Sequence, residues 1–91
     1  MELKRVVVTG IGAVTPVGNT AEETWANLLA GKSGAAPITS FDTTLFKTKF
    51  ACEVKGLNIN DYIDRTEARK MDRYTPLAII AAKQAVEDSQ V

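Results

Sequence analysis

The chain opens with Met1-Glu2-Leu3-Lys4-Arg5, and three consecutive valines, Val6-Val7-Val8, follow. An unbroken β-branched run bounded by Gly10 predicts a strand over Leu3 to Thr9, buried on both faces and therefore in need of neighbours on each side. Gly10 to Asn19 carries three glycines and Pro16, which predicts a structured turn. Thr20-x-x-Glu23 is a capping box, in which a hydroxyl and a carboxylate each satisfy an unpaired amide at a helix start. The helix that follows is expected to reach about Ala30, with Trp25, Leu28 and Leu29 on its inner face, and Gly31 supplies a left-handed terminal cap.

From Lys32 to Thr44 the pattern loses its period. Phe50, Cys52 and Val54 then alternate with Ala51 and Glu53, predicting a second strand over Thr48 to Val54 that Gly56 and Asn58 terminate. Asp61 to Ile63 is read as a helical turn. Asp64-x-x-Glu67 repeats the capping pattern ahead of a helical stretch through Met71. The last helix is expected over Pro76 to Glu87, with Thr75 as cap and Pro76 in the first turn. Its Leu77-Ala-Ile-Ile-Ala-Ala82 segment is apolar all round, which predicts burial. No repeat or low-complexity segment is present.

Composition changes this picture little. Ninety-one residues amount to one domain or less. Eleven basic and eleven acidic residues cancel, so charge balance implies neither a nucleic-acid nor a membrane partner. No apolar run approaches the length of a membrane span, and the valine run is too short for a signal peptide. A single cysteine precludes an internal disulfide and suits a reducing cytoplasm.

Among candidate chemistries, a dinucleotide site would need three glycines at G-x-G-x-x-G with the last at a helix start. Here Gly10 and Gly12 are followed by Thr15, which Pro16 holds out of the helical region, so no helix N-terminus stands ready for a phosphate. The glycines are better read as a tight turn or a close backbone approach. Cys52 lies inside a strand pattern in a chain without histidine. Lacking a base or a helix N-terminus to form its thiolate, it is expected to be a small buried apolar residue. Glu22 and Glu23 are accounted for by capping and by the positive end of the helix dipole. Arg65, Arg69 and Arg73 recur every fourth residue, with Lys70 beside them, and form one basic stripe if the helix is continuous. Only Glu67 and Asp72 oppose these four cations. A solvated face is the plain reading of such a stripe.

Taken in order, Arg5-Val-Val-Val-Thr-Gly-Ile-Gly12, Thr15-Pro-Val-Gly-Asn19, Trp25, Leu29-Ala-Gly-Lys-Ser-Gly34, Phe41-Asp42, Lys49-Phe50-Ala51 and Glu67-Ala-Arg-Lys-Met-Asp72 span nearly the whole chain. This series resembles the front of the β-ketoacyl-acyl-carrier-protein synthases, the condensing enzymes of fatty acid synthesis, most closely their type II branch. The resemblance implies an α/β fold, the N-terminal part of the thiolase-like layered α/β/α/β/α architecture, normally in a homodimer. Residues 1–91 would be the first part of the synthase N-terminal domain, in a fragment or a partial gene model. The family works with a cysteine, two histidines and a lysine from later sequence, so no catalytic residue is expected here, and Cys52 does not align with the nucleophile. No metal or organic cofactor is implied beyond the phosphopantetheine carried by acyl carrier protein.

That partner changes the reading of the basic stripe. Arg65, Arg69 and Lys70 align with part of the patch that receives the acidic helix of acyl carrier protein. Thr66 departs from the pattern, standing where relatives often carry another lysine, and Arg73 lies outside the resemblance. The family likeness also moves the start of the last helix towards Asp72. A polyketide ketosynthase, its inactive chain-length partner, and a non-catalytic carrier-binding or structural module remain open alternatives.

Overall fold

A computed structural model describes residues 2–90. Along them lie α1 (Ala21–Leu29), β1 (Ala35–Pro37), β2 (Phe50–Cys52), a 3-10 turn (Ile59–Asp61), α2 (Arg65–Ala68) and α3 (Tyr74–Ser89). Helix and strand are both present, as the α/β expectation requires, and the strands form a two-stranded antiparallel sheet.

The best-specified local structure is α1. Thr20 is extended, and its hydroxyl accepts the Glu23 amide at 3.1 Å; of the predicted box only this half closes among the described residues. At the other end Gly31 takes φ +72°. Its amide bonds to Leu28 O at 3.1 Å, and that of Lys32 reaches Asn27 O at 3.0 Å, the paired bonds of a Schellman cap. A residue with a Cβ would pay a steric penalty in this left-handed position.

The sheet departs from expectation. Residues Lys32 to Thr44, read as irregular, include β1, and the second strand is shorter than predicted. Ala35 faces Cys52, Ala36 faces Ala51 and Pro37 faces Phe50, while Ile38 N donates to Lys49 O at 3.0 Å. Because successive amides point to opposite edges, that bond places the Pro37 nitrogen on the outer edge, where no donor is needed. Pro37 masked the strand in the sequence because proline normally argues against one.

Leu3 to Thr9 forms no strand among the described residues. Val6 is 88% exposed and Val8 80%, and no described segment lies beside them to supply a ladder. The prediction of burial on both faces is therefore not met here, although its premise, that such a run needs neighbours, explains why. The same holds for the inner face assigned to α1: Trp25, Leu28 and Leu29 remain exposed, since nothing covers them.

What does pack is α3, which starts two residues before Pro76 and continues two beyond Glu87. Arg73, not Thr75, precedes it, and Pro76 occupies the third helical position, still within the first turn where an amide would have no intrahelical acceptor. Of its apolar segment, Pro76 leads in and Ile80 is fully buried, while Ala78 and Ala82 are exposed, so burial is one-sided rather than complete. Gly10 and Gly12 lie directly on this helix. A Cβ on Gly12 would stand 1.9 Å from Ala81 O, and one on Gly10 2.2 Å from Ala85 O. The glycines thus serve close backbone approach.

The radius of gyration is 16.6 Å, whereas a closed globule of this length would have about 12 Å. Isolated 1–91 is therefore expected to melt without a cooperative transition and to aggregate through its exposed valines and leucines. Calorimetry and amide dispersion of the purified segment test this. A sharp two-state transition with dispersed resonances would refute it.

Candidate functional site

The glycine loop is occupied by the protein itself. Ile11 N donates to Asp88 Oδ2 at 2.9 Å and Ala13 N to Gln84 Oε1 at 3.0 Å. Two amides that a phosphate would need are already engaged, and a carboxylate faces the first of them. The exclusion of a dinucleotide site thus acquires a structural reason. The turn is closed by Thr15 N to Gly18 O at 2.8 Å, with Gly18 N returning to Thr15 O at 3.2 Å. The Thr15 and Thr24 hydroxyls meet at 3.0 Å, which ties the turn to α1. Asn27 Nδ2 donates to Val17 O.

Cys52 is free and exposed on β2, which corrects the expectation of burial. The alternation is present but inverted: Ala36 and Ala51 are half-buried, while Phe50 and Cys52 lie on the uncovered face. Exposure supplies no base, and no described side chain hydrogen-bonds to the sulfur.

Next to it, Glu53 forms a clamp that sequence reading missed. Its carboxylate accepts Thr39 N at 3.0 Å, Thr39 Oγ1 at 3.1 Å, Ser40 N at 3.2 Å and the Ser40 hydroxyl. These donors, led by the Ser40 hydroxyl and the Thr39 amide, hold the Glu53 carboxyl down at about 2. Lys55 works in the opposite sense: its ammonium donates to Gly34 O and Glu53 O at 3.0 Å each and to Pro16 O at 3.3 Å. In the loop between β1 and β2, Lys49 Nζ gathers Thr43 O at 2.6 Å and Phe46 O at 2.7 Å, and hydrogen bonding from the Thr44 hydroxyl holds the Asp42 carboxyl below its ordinary value. The Asp42 and Lys49 contacts are local, within six residues, but no local motif signals the Glu53 clamp or the reach of Lys55 to Gly34 and Pro16, whose partners lie 13 to 39 residues away.

The basic residues gather where α2 meets α3. The capping pattern at Asp64 marks the start of α2, yet its side chain makes no capping bond. The helix lasts one turn. Arg69 N still bonds Arg65 O at 3.2 Å, but Lys70 N and Met71 N fall back on Glu67 O and Ala68 O, at 3.1 and 3.2 Å. The predicted helix through Met71 therefore ends early, and the four-residue stripe is interrupted. Arg65 and Arg69 share one turn, Lys70 follows it and Arg73 introduces α3. All four are exposed. Lys70 Nζ lies 3.7 Å from Glu67 Oε1, an exposed pair worth little. Lys83 Nζ, reaching Tyr62 O at 2.9 Å, ties the segment before α2 to α3. Arg73 also lines an open cleft with Leu77 of α3 and the Cys52–Gly56 strand end.

A profile described as "Beta-ketoacyl synthase, N-terminal domain" matches residues 3–91. The chain is 50% identical over 88 residues to a Staphylococcus aureus protein named 3-oxoacyl-[acyl-carrier-protein] synthase 2, covering 97% of this chain and 21% of that protein. It is 52% identical over 89 residues to the Vibrio cholerae protein of the same name, covering 98% and 22%. The solved structure titled "The ishigamide ketosynthase/chain length factor" superposes with a TM-score of 0.83 at 40% identity, over 93% of this chain and 21% of that one. The chain thus spans about a fifth of the length of the relatives it matches.

Glu53 yields a pH prediction with a definite sign. Its folded-state value lies below the ordinary 4.5, so the clamp's contribution is complete above about 4.5 and is lost as pH falls through about 2. In the full-length protein, carbon-detected titration of Glu53 should show a midpoint near 2, and Glu53→Gln should speed exchange of the Thr39 and Ser40 amides at neutral pH. A midpoint near 4.5 would show the clamp open in solution.

Proposed function

The chain belongs to the β-ketoacyl synthase family, and from that premise we propose that it is the opening of a 3-oxoacyl-acyl-carrier-protein synthase. Identity near 50% along almost the whole chain to proteins of that name carries the reading. In the full-length protein, an acyl group passes from carrier protein to a cysteine thiol. Malonyl-carrier-protein then loses carbon dioxide, and the resulting carbanion attacks the acyl thioester, expelling the thiolate. The product is a ketoacyl chain two carbons longer, and backbone amides stabilise the oxyanion on the way. Residues 1–91 form the first part of the synthase N-terminal domain in a layered α/β/α/β/α homodimer of the cytoplasm. They provide scaffold and docking surface while the reacting groups come from elsewhere in the protein. Phosphopantetheine arrives on the partner, and no further cofactor is required.

Arg65, Arg69 and Lys70 are assigned to docking of acyl carrier protein. Their exposure at a turn supports this role, since steering and rim contacts need accessible charge rather than burial. A second reading, a polyketide ketosynthase or chain-length factor, is favoured by the structural match to such a pair. A downstream nucleophilic cysteine separates active synthase from inactive partner.

Two outcomes test the proposal. Purified 1–91 should release no carbon dioxide from malonyl-carrier-protein above a buffer blank; measurable turnover would place chemistry within this segment. In the full-length enzyme, Arg69→Glu with Lys70→Glu should raise KM for acyl-carrier-protein substrates about tenfold, as two contacts contributing together about 1.4 kcal/mol would. The kcat should hold, salt dependence should flatten, and a small thioester should react as before. Equal loss with both substrates would make the turn a support of the fold, and no loss with either would return it to a solvated face.

A further inference from the structure

We infer that Arg73 is an additional docking cation, extending the surface from α2 across to the start of α3. This rests on the carrier-protein reading above and names a residue the family resemblance did not reach. Arg73 is exposed and immediately precedes α3. The Lys70–Glu67 contact is the ion pair found among the described residues, so neither Asp72, its neighbour in sequence, nor Glu53, across the cleft, neutralises Arg73 within 4.0 Å.

The cleft beside it discriminates between kinds of ligand. Its walls include Thr39, Ser40, Glu53 and Lys55, which would make an anion cradle if their donors were free. They are not. Both hydroxyls donate to Glu53 and the Lys55 ammonium serves three carbonyls, while the Glu53 carboxylate would repel a small anion. Arg73 lines this cleft, is exposed and has no ion-pair partner among the described residues, and a single rim cation suits a macromolecular acidic surface rather than a buried phosphate. The helical turn that begins at Arg65 ends at Ala68, five residues before Arg73, with Arg69 as its cap, so all of these cations fall within nine residues, a segment short enough for one acidic helix to span. Charge complementarity thus commits the site to the acidic face of the carrier protein.

The test compares Arg73→Glu and Arg69→Glu in the full-length enzyme, with an acyl-carrier-protein substrate and with a short acyl-pantetheine thioester. Arg73→Glu is expected to raise KM for the protein-borne substrate about three- to fivefold, the upper part of the range of one exposed ionic contact, with a flatter salt dependence. The kcat and the small thioester should be unaffected. Arg73→Gln should shift KM in the same direction by less, and Arg73→Lys should restore it. If Arg69→Glu has the selective effect and Arg73→Glu has none, the Arg73 assignment is overturned while the docking reading stands. If neither variant is selective, that reading falls and takes this one with it. Equal impairment of both substrates by Arg73→Glu would make the residue a support of the cleft and overturn its docking role.

Discussion

Backbone meets backbone where the Gly10–Gly12 loop lies on α3, and the rest of the structure depends on that approach. Added methyl groups at these positions would sit within about 2 Å of the Ala81 and Ala85 carbonyl oxygens, a distance no ordinary contact tolerates. Such closeness brings the Ile11 and Ala13 amides onto Asp88 and Gln84, where side chains of a helix satisfy donors that no strand partner reaches. Gln84 carries the connection on, since its Nε2 donates to Asn19 O at 2.6 Å while its oxygen holds Ala13. Asn19 in turn donates to Lys55 O at 3.0 Å, and the Lys55 ammonium closes the circuit onto Pro16 and Gly34. Loop, hairpin and terminal helix are thereby positioned by polar links that leave one seam. Apolar burial contributes less, for Ile80 is the hydrophobic side chain fully buried among the described residues.

Because α3 also reaches the segment before α2 through Lys83 and Tyr62, the basic turn inherits its placement from the same helix. A turn of one helical repeat has little stability of its own. Its tether and its short loop to α3 therefore set where Arg65 and Arg69 stand. Loosening the glycine seam would therefore displace the cations without touching them.

Local signals in the sequence were legible wherever a few adjacent residues settle the conformation. Thr20 and Gly31 bound α1 because one hydroxyl and one missing Cβ satisfy its ends. The turn near Asp61 appeared two residues earlier than expected, over Ile59–Asp61, with the Asn58 side chain accepting from Asn60 N in place of any signal from Asp61 itself. What required the whole chain stayed hidden. β1 was obscured by Pro37, whose edge position only the pairing reveals, and the Glu53 clamp draws on donors 13 and 14 residues away. Residue type announced the basic cluster, but its geometry was overestimated. A four-residue spacing implies a stripe only while the helix lasts, and α2 stops at Ala68.

The family likeness and the local physics also explain why exposure carries opposite meanings at two places. Val6, Val7 and Val8 are uncovered apolar groups outside any strand, and such a run is stable only when ladders and side chains close over it; its exposure marks an unfilled requirement. Arg65, Arg69, Lys70 and Arg73 are uncovered cations in a chain whose overall charge is zero. Four cations against two carboxylates within nine residues give the turn a local positive potential that composition conceals. Over the roughly 8–10 Å that salt allows a surface charge to act, that local balance, rather than the neutral total, sets the potential beside the turn.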